Sequence, residues 1–399
     1  MSTARTALVV GGGIAGPVAA MALQKAGVEA TVCEAHPSSA DGVGGGLGLA
    51  PNGLNALGVI GIDEAVRDIG IPVSSMLMRS WTGKRLAEFG EPSGAPIMYT
   101  MWRSDLYRVL CDEAARRGVR IRYGARLASA QDDGDGVTAS FMDGTRATAD
   151  ILVGADGIRS TVRSLVDPSA PAPSHTGLLG FGGWSSAKVP STNGAMHMVF
   201  GKRAFFSYTV EDNGRVGWFA NLPHKERMTS AETTAVGARE WLRVLREVFA
   251  GDRVPAVEIL RGVDPDELVM TGSLEIMPPA PRWHRGRMVL IGDAAHAPSP
   301  SSGQGASQAI EGAVHLARCL RDLPVDAAFQ AYEGLRRERV ERITAAAART
   351  NRNKAAGPVA RVLRDLVMPT MMRLMTKPDQ LAWQYDYRID WDARVPALT

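Results

Sequence analysis

The stretch ALVVGGGIAG, residues 7–16, constrains the fold more than any other part of the chain. An apolar run leads directly into three glycines in the pattern GxGxxG, and helical spacing continues to about Lys25. A second apolar run, Ala30–Glu34, completes a β-α-β unit about thirty residues long, which belongs in a parallel sheet. Such glycines permit a tight turn, close approach of a phosphate and close helix packing; they are Gly11, Gly13 and Gly16. Glu34 lies where ribose hydroxyls bind, so the unit predicts dinucleotide binding, with a glycine-rich turn of another α/β protein as the alternative.

Composition narrows the class of protein. At 399 residues the chain is long enough for two or more packing units, and 45% hydrophobic and 22% charged residues are typical of a globular protein. A net charge of +3 without a basic tract gives little support to nucleic-acid binding. The widely spaced Cys33, Cys111 and Cys319 form no metal-binding pattern and favour a reduced, cytoplasmic chain. No apolar stretch is long enough for a membrane span, and a monomer and a homodimer both stay open.

The periodicity of the chain predicts an α/β fold with two lobes. Residues from about 178 to 263 read as successive strands separated by turn signals, which predict an antiparallel sheet. Beyond Gly305 the pattern is mostly helical. We expect a discontinuous nucleotide-binding domain over residues 1–70, 98–174 and 280–325. We expect residues 71–97 and 175–279 to form an inserted substrate domain with a mixed or antiparallel sheet, and residues 326–399 a C-terminal helical segment.

Two further motifs follow buried apolar runs. The first, Asp156-Gly157-x-x-Ser160-x-x-Arg163, is either a ligand-binding turn or a helix cap, because Asp and Ser both favour helix N-termini. The second, GDAAHAPSPSSGQGAS, occupies Gly292–Ser307 and places Asp293 at the carboxyl end of a strand, where α/β proteins bind ligands. Its small residues allow the backbone to approach a planar ring, and a helix start near Ser307 favours a group that becomes anionic, such as a reduced flavin. His296 is either catalytic or a local hydrogen-bonding residue that holds the loop.

In this order the motifs resemble the single-component FAD-dependent aromatic hydroxylases and monooxygenases of the para-hydroxybenzoate hydroxylase type. The matching stretches are GGGIAG with Glu34, ADGIRSTVR at residues 155–163, residues 292–307, APNGLNALGVIG at residues 50–61, and Arg103-x-x-Leu106-x-x-x-Leu110. The resemblance implies an FAD-binding Rossmann-like domain with an inserted substrate domain and C-terminal helices.

The resemblance also implies roles for matching positions. The glycines of GxGxxG would hold the FAD pyrophosphate, Glu34 the adenosine ribose, Arg103 the flavin side near the ribityl chain, and Asp293 the ribityl chain itself. Asp156 would serve both FAD and the passing nicotinamide. The positions along the flavin ring, near its reactive C4a, would be Pro300, Gly303 and Gly305. The remaining cofactor-binding positions would be Ala15, Leu127, Gly292 and Ser307. No catalytic side chain and no metal ligand is assigned.

The chain departs from the family pattern at two positions. Ser307 stands where the family often has Asn, and Gly312, after Glu311, stands where an Asp is common. These departures leave in doubt the contacts that the Asn and the Asp make.

The activity implied by the resemblance is a hydroxylation. NADH or NADPH would reduce FAD, O2 would add at C4a, and the flavin C4a-hydroperoxide would hydroxylate a bulky, mostly apolar aromatic or polyketide-like substrate. The same peroxide also serves epoxidation and Baeyer–Villiger insertion. One alternative is a non-catalytic FAD-binding redox or partner module, and another is a dehydrogenase that uses only NAD. A flavin-dependent reductase of prenyl chains also stays open, whereas a halogenase is disfavoured because its WxWxIP motif is missing.

Aromatic residues of the strand-rich segment are candidates for the substrate pocket. Alternation places Phe206, Tyr208 and Trp218 on one shared sheet face, and we expect this face to line the pocket, with an ordinary sheet core as the alternative. The nearest polar candidates are His197, Lys202 and Arg203, and none forms a convincing pair. The C-terminal methionines, either a flexible lid or ordinary packing residues, are Met368, Met371, Met372 and Met375.

Overall fold

A computed structural model describes residues 3–38, 44–90, 95–354, 365–367 and 379–396. In chain order its strands are β1 (Thr6–Val10), β2 (Glu29–Cys33), β3 (Gly46–Leu49), β4 (Ile71–Val73), β5 (Ser75–Ser80), β6 (Arg85–Gly90), β7 (Met98–Trp102), β8 (Arg120–Arg122), β9 (Leu127–Asp132), β10 (Val137–Phe141), β11 (Arg146–Ala149), β12 (Ile151–Gly154), β13 (Ser174–Ser185), β14 (Ala195–Phe200), β15 (Phe205–Val210), β16 (Val216–Pro223), β17 (Val269–Ile276), β18 (His284–Arg285) and β19 (Met288–Leu290).

The helices are α1 (Ala15–Lys25), α2 (Pro51–Val59), α3 (Asp63–Asp68), α4 (Arg103–Arg116), α5 (Thr161–Val166), α6 (Ser230–Val236), α7 (Ala238–Phe249), α8 (Ala256–Arg261), α9 (Gly305–Asp322), α10 (Val325–Lys354) and α11 (Asp379–Tyr385).

The first lobe is built on a six-stranded sheet in the order β18-β19-β12-β1-β2-β8. All its neighbours pair in parallel except the short edge strand β18. Its central strands are apolar along their whole length because α1 and α9 pack together beside the sheet and the sheet interior is buried. The β-α-β unit and the α/β fold class predicted from the sequence are confirmed.

The second lobe is built on a seven-stranded sheet in the order β17-β13-β16-β15-β14-β5-β6. It is mixed, because β5 pairs in parallel with β14 while the other neighbours are antiparallel. Helices α7 and α8 cover one face, where Leu245, Phe249 and Ile259 are buried. This sheet draws its strands from residues 75–90 and 174–276, which supports the predicted division into domains, and that division itself stays a prediction.

Two three-stranded sheets complete the strands, in the orders β11-β10-β9 and β3-β7-β4. Strand β7 of the second runs directly into α4 at Trp102, so Arg103 is the first residue of that helix. This connection fixes Arg103 beside the first lobe.

The described residues near the C-terminus are tied to α9. Arg318 donates to the carbonyl oxygen of Ala393 at 2.9 and 3.1 Å, and Asp322 accepts from the amide of Val395 at 2.8 Å. The four methionines considered above, Met368, Met371, Met372 and Met375, lie outside the described residues. Within the described ranges, no helix is both long enough and apolar enough to cross a membrane.

Candidate functional site

The GxGxxG loop has the geometry of a phosphate cradle. Gly11 has a φ of +105°, and a Cβ there would lie 2.4 Å from the carbonyl oxygen of Ala155. A Cβ at Gly16 would lie 1.9 Å from the carbonyl oxygen of Gly11, so only glycine allows α1 to start this close to β1. A Cβ at Gly13, in contrast, would meet no atom of the described residues within 4 Å. The loop is tight on its protein side and open at Gly13, as an approaching pyrophosphate requires.

Glu34 directly follows β2 and lies beside this loop. Its carboxylate accepts hydrogen bonds from the amide of Gly12 at 2.6 Å and from that of His36 at 2.8 Å. These bonds hold the carboxylate at the mouth of the loop, where the predicted ribose contact would be made. The prediction for Glu34 stays a prediction, with its side chain in a suitable place.

The Asp156 motif caps a helix. The Asp156 carboxylate accepts from the Ser160 hydroxyl and from the amides of Thr161 at 2.7 Å and Val162 at 3.1 Å. Ser160 itself caps α5 by accepting from the amide of Arg163 at 2.9 Å. The helix-capping alternative therefore describes these side chains, and a direct contact of Asp156 with FAD stays a prediction.

Arg163 links this motif to the Gly292 loop. Its guanidinium is buried and donates to the carbonyl oxygens of Ala294 at 3.0 Å and Ile158 at 2.6 Å. Burial lowers the pKa of Arg163, and the nearby Asp156 carboxylate acts in the opposite direction. The two motifs, 130 residues apart in the sequence, thus form one structure.

The Gly292 loop turns sharply at the end of β19. Gly292 has a φ of +55°, and a Cβ there would lie 3.3 Å from the Cβ of Ala15 and 3.0 Å from that of Ala309. Ala15, a predicted cofactor-binding position, therefore joins the GxGxxG loop to the Gly292 loop. Asp293 follows directly, and burial raises the pKa of its carboxyl while the positive charge of Arg103 lowers it. The charge of Arg103 therefore acts on Asp293, and the FAD contacts that the resemblance implies for these two residues stay predictions.

The end of the Gly292 loop is also open. Gly303 has a φ of +61°, and within the described part of the chain a Cβ there would touch only the terminal methyl of Met98, at 3.6 Å. Gly305 starts α9, and a Cβ there would meet no described residue within 4 Å. Pro300 lies exposed at the front of the same loop. The N-terminus of α9 offers free backbone N–H groups, and the loop beside it has only small side chains. Together they suit a flat ligand that becomes anionic.

His296 fits neither role proposed for it from the sequence. Its ring is buried against Trp283, with ring centroids 5.3 Å apart, and within the described residues neither ring nitrogen has a hydrogen-bond partner. Burial lowers its pKa to about 3. Its backbone amide, not its ring, holds the loop by donating to the carbonyl oxygen of Gly292 at 2.9 Å.

Ser307 ties α9 to α2. Its hydroxyl accepts from the amide of Ala50 at 3.2 Å, and a Cβ at Gly53 would lie 2.7 Å from that hydroxyl oxygen. The two helices approach so closely that a small side chain is required at residue 307. This close approach accounts for the departure from the Asn that the family often carries.

Glu311 stands directly before the position of the family's Asp, and that it takes over the contacts of that Asp stays a prediction. Glu311 is fully buried on α9 and pairs with Arg336 and Arg339 of α10. Desolvation raises its pKa, but the two guanidinium groups outweigh that effect and hold the pKa at about 2. Gly312, the residue at the family's Asp position, allows the Tyr332 hydroxyl to approach within 3.3 Å of where a Cβ would lie.

A buried polar network extends from this ion pair to the Gly292 loop. Asn52 donates to Glu311 Oε1 at 2.6 Å and to Gln304 Oε1 at 2.9 Å, and Arg336 donates to Gln308 Oε1 at 2.6 Å. Gln304 is the residue before α9. The network therefore fixes the start of the helix that faces the open end of the loop. Nothing in the sequence spacing of these residues marks them as partners.

Leu127 is placed in the protein interior. It lies on β9 opposite Phe141, and its side chain is buried in the main hydrophobic core. Only its backbone is available to a cofactor.

The cysteines do not supply a nucleophile. All three are buried, and burial raises the thiol pKa of Cys33 and Cys111 to about 11 and that of Cys319 to about 12.

The predicted substrate residues share one sheet face, but that face is packed against helices. Phe206 is fully buried, stacks on Trp218 with centroids 5.6 Å apart, and meets Phe249 of α7 at 5.2 Å. Tyr208 lies on the same face, where its hydroxyl hydrogen-bonds with His197 Nδ1 at 2.7 Å. The expectation that Phe206, Tyr208 and Trp218 line the pocket is therefore corrected: they form the core between sheet and helices.

The polar candidates are also directed elsewhere. Lys202 lies over the Trp81 ring, 4.1 Å from its centroid. Arg203 donates to the carbonyl oxygens of Glu247 and Val248 near the end of α7.

Comparison with known proteins gives these geometries a context. The sequence profile of a family described as FAD binding domain matches residues 4–347. Over 401 residues the chain is 34% identical to the 3-amino-4-hydroxybenzoate 2-monooxygenase PtmB3 of Streptomyces platensis, which covers 95% of each chain. It is 30% identical over 345 residues to the aurachin C monooxygenase/isomerase of Stigmatella aurantiaca, covering 85% of this chain and 87% of that one. The solved structure of Klebsiella pneumoniae HpxO complexed with FAD and uric acid superposes with a TM-score of 0.82 at 25% identity, covering 96% of both chains.

Proposed function

Because the chain belongs to the family of single-component FAD-dependent aromatic hydroxylases, we propose that it uses NADH or NADPH and O2 to hydroxylate a bulky, mostly apolar aromatic or polyketide-like substrate. The enzyme is an FAD-dependent monooxygenase. Its substrate, its nicotinamide co-substrate and the route of oxygen transfer are the parts that we propose.

One observation carries the proposal: three distant motifs meet at the carboxyl ends of β1, β12 and β19 and leave open space at Gly13 and Gly305. In this arrangement the GxGxxG loop and the start of α1 would hold the pyrophosphate of FAD, and Glu34 the adenosine ribose. Arg103 and Asp293 would hold the ribityl side, and the stretch Pro300–Gly305 would lie along the flavin ring.

When bound, FAD supplies the electron transfer from the nicotinamide and the activation of O2 at C4a. The chain contributes position, exclusion of water and electrostatics. The backbone amides at the helix start near Gly305 would stabilise negative charge on a reduced flavin bound along this loop. The buried charge network behind Gln304 keeps that helix start in a fixed position.

The test combines spectra with product analysis. We expect purified protein to carry or take up FAD, to be reduced anaerobically by NADH or NADPH faster when an aromatic ligand is present, and to place one atom of 18O2 in the product. The position of the label separates hydroxylation from epoxidation and Baeyer–Villiger insertion. Protein that binds FAD but never consumes NAD(P)H with any of a broad panel of phenols, naphthols and quinolones would favour the non-catalytic module. Protein that cannot be loaded with FAD at all would refute the proposal.

A further inference from the structure

The face of the seven-stranded sheet opposite α7 and α8 carries a set of methionines. Register places Met198, Ser207 and Phe219 in one row across β14, β15 and β16, and Met196 opposite Met76 in the next row. Side chains in such rows point to the same side of a sheet. We call this surface the methionine face; its residues are Met76, Met196, Met198, Ser207 and Phe219.

The methionine face is directed toward the Gly292 loop. Met98, at the start of β7, packs in one cluster with Met76, Met196, Met198 and Phe219. The terminal methyl of the same Met98 lies 3.6 Å from the position of a Cβ on Gly303. One side chain therefore joins the sheet face to the loop along which the flavin ring would lie.

This face also offers reachable surface. Met76, Met198 and Phe219 are only half-buried, whereas Phe206 on the helix-covered face is fully buried. Methionine side chains adapt to irregular partners and make favourable contacts between sulfur and aromatic rings. The surface suits an apolar ring better than a compact charged group.

The described residues of β14, β15 and β16 on this face include no Asp, Glu, Lys or Arg. The cations nearby are held elsewhere: Arg79 pairs in register with Val199 and so lies on the helix-covered face, and Arg215 lies over the Trp184 ring at 4.0 Å. A carboxylate buried on the methionine face would have no counter-charge there, and burying such a group is strongly unfavourable.

Ser207 supplies a polar atom in this apolar setting. It is fully buried between Met198 and Phe219, and among the described residues its hydroxyl has no hydrogen-bond partner. An unpaired buried hydroxyl is destabilising, and a ligand oxygen that reaches it by displacing the half-buried side chains of Met198 and Phe219 would remove that cost.

We propose that the methionine face is the substrate-recognition surface, that it selects uncharged aromatic rings over arene carboxylates, and that Ser207 hydrogen-bonds a ring hydroxyl or carbonyl oxygen of the substrate. The inference rests on the function proposed above. It differs from what the name of the Streptomyces relative would suggest, since that enzyme is named for an aminohydroxybenzoate.

Matched ligand pairs test the charge preference. Full-length, FAD-loaded protein is titrated with 2-aminophenol against 3-amino-4-hydroxybenzoate, and with 2-naphthol against 3-hydroxy-2-naphthoate. Binding is followed by the change in flavin absorbance and by NAD(P)H oxidation. We expect each uncharged ligand to bind at least about a hundredfold more tightly than its carboxylate. Equal or tighter binding of the carboxylates, with NAD(P)H oxidation, would overturn the inference and leave the proposed function standing. If no ligand of either kind changes the flavin spectrum or NAD(P)H oxidation, both fail.

Two variants test Ser207 itself. In the parent protein 2-naphthol should bind about tenfold more tightly than naphthalene, and Ser207→Ala should remove that difference while naphthalene binding is unchanged. Ser129→Ala, on the exposed part of β9 in another sheet, is the matched control and should keep the difference. Ser207→Arg should shift the preference toward the carboxylates. Retention of the naphthol preference in Ser207→Ala would overturn the role of Ser207, whether or not the arginine variant folds.

Discussion

The Glu311 ion pair gives the sharpest prediction about stability. Glu311→Gln keeps the size and hydrogen-bonding shape of the side chain but removes the negative charge between Arg336 and Arg339. Arg336 is fully buried and Arg339 is 9% exposed, so neither guanidinium can turn to solvent. The change therefore leaves two buried positive charges facing each other without a counter-ion.

Two estimates of the size of this effect agree. Removing one partner of a buried ion pair typically lowers the free energy of unfolding by about 3–5 kcal/mol. Independently, the pKa of Glu311 is held at about 2, against an ordinary value of 4.5, which corresponds to about 3 kcal/mol of preference for the charged form. We expect Glu311→Gln to lose about 3–4 kcal/mol and to bind FAD more weakly, because the network also fixes Gln304.

The pH dependence has a definite sign. Because the folded-state pKa is lowered, the contribution of Glu311 is fully present above about pH 4.5 and is lost as the pH falls toward about 2. Equilibrium urea unfolding, followed by tryptophan fluorescence and circular dichroism over this range, should show that loss in the parent protein. The component due to Glu311 should be missing from Glu311→Gln.

Glu113→Gln is the matched control. Glu113 also has a pKa near 2, but on α4 it pairs with Arg116, whose side chain is 72% exposed, and with Arg117, whose side chain is 24% exposed. Solvent screens such a pair, so we expect a loss of about 1 kcal/mol or less. If the two variants lose the same free energy, the argument from burial is refuted.

Three further predictions concern single residues. Gly16→Ala should prevent folding of the first β-α-β unit, because its Cβ would lie 1.9 Å from the Gly11 carbonyl oxygen. Gly13→Ala should fold normally and bind FAD more weakly. Circular dichroism with an FAD titration separates the two variants, and a misfolded Gly13→Ala would contradict the open cradle. Ser307→Asn restores the residue common in the family and should lower the free energy of unfolding by about 1–3 kcal/mol, because α2 leaves no room for the larger side chain. Equilibrium urea unfolding measures this difference, and an unchanged free energy would count against the close approach of α2 and α9. As the pH falls from about 6.5 to 3, the unfolded chain protonates His296 but the folded chain, in which its pKa is about 3, does not, so the protein loses stability. His296→Phe should reduce this loss. An unchanged dependence of the free energy of unfolding on pH would show that the buried ring is not the cause.

The parts of the fold that sequence reasoning predicted are those governed by local rules. Gly11 and Gly16 are required by the backbone itself, and the apolar runs at β1 and β12 are typical of strands covered on both sides. The same reasoning could not decide which face of β15 meets the substrate lobe's helices. Phe205 and Phe206 point to opposite sides, and both are buried, so alternation separates the faces without identifying them.

Long-range partners account for the rest of what was missed. Glu311 is explained by Arg336, which lies on another helix, and nothing in the spacing of the two residues marks them as a pair. Asp156 is different, because its partners are local. The resemblance implied that it contacts the cofactor, but its carboxylate accepts hydrogen bonds from backbone amides five and six residues later in the chain.

The interleaving of the two lobes has a consequence for how the chain folds during synthesis. Strand β5 cannot pair with β14 until more than a hundred further residues have been synthesised, and β12 likewise pairs with β19, which is synthesised much later. Helix α1 leaves the ribosome early, yet α9, its packing partner, begins only at Gly305. Neither sheet is complete until most of the chain has been made, so apolar strands stay exposed during translation and the rate of folding is governed by non-local contacts.

The same interleaving limits how the enzyme can be taken apart. No single cut yields either large sheet as a continuous fragment, because the strands of the seven-stranded sheet come from residues 75–90 and 174–276, and strands of the six-stranded sheet lie before, between and after these ranges. Exchanging the substrate sheet with that of a relative therefore requires four junctions, placed so that β5 and β14 move together.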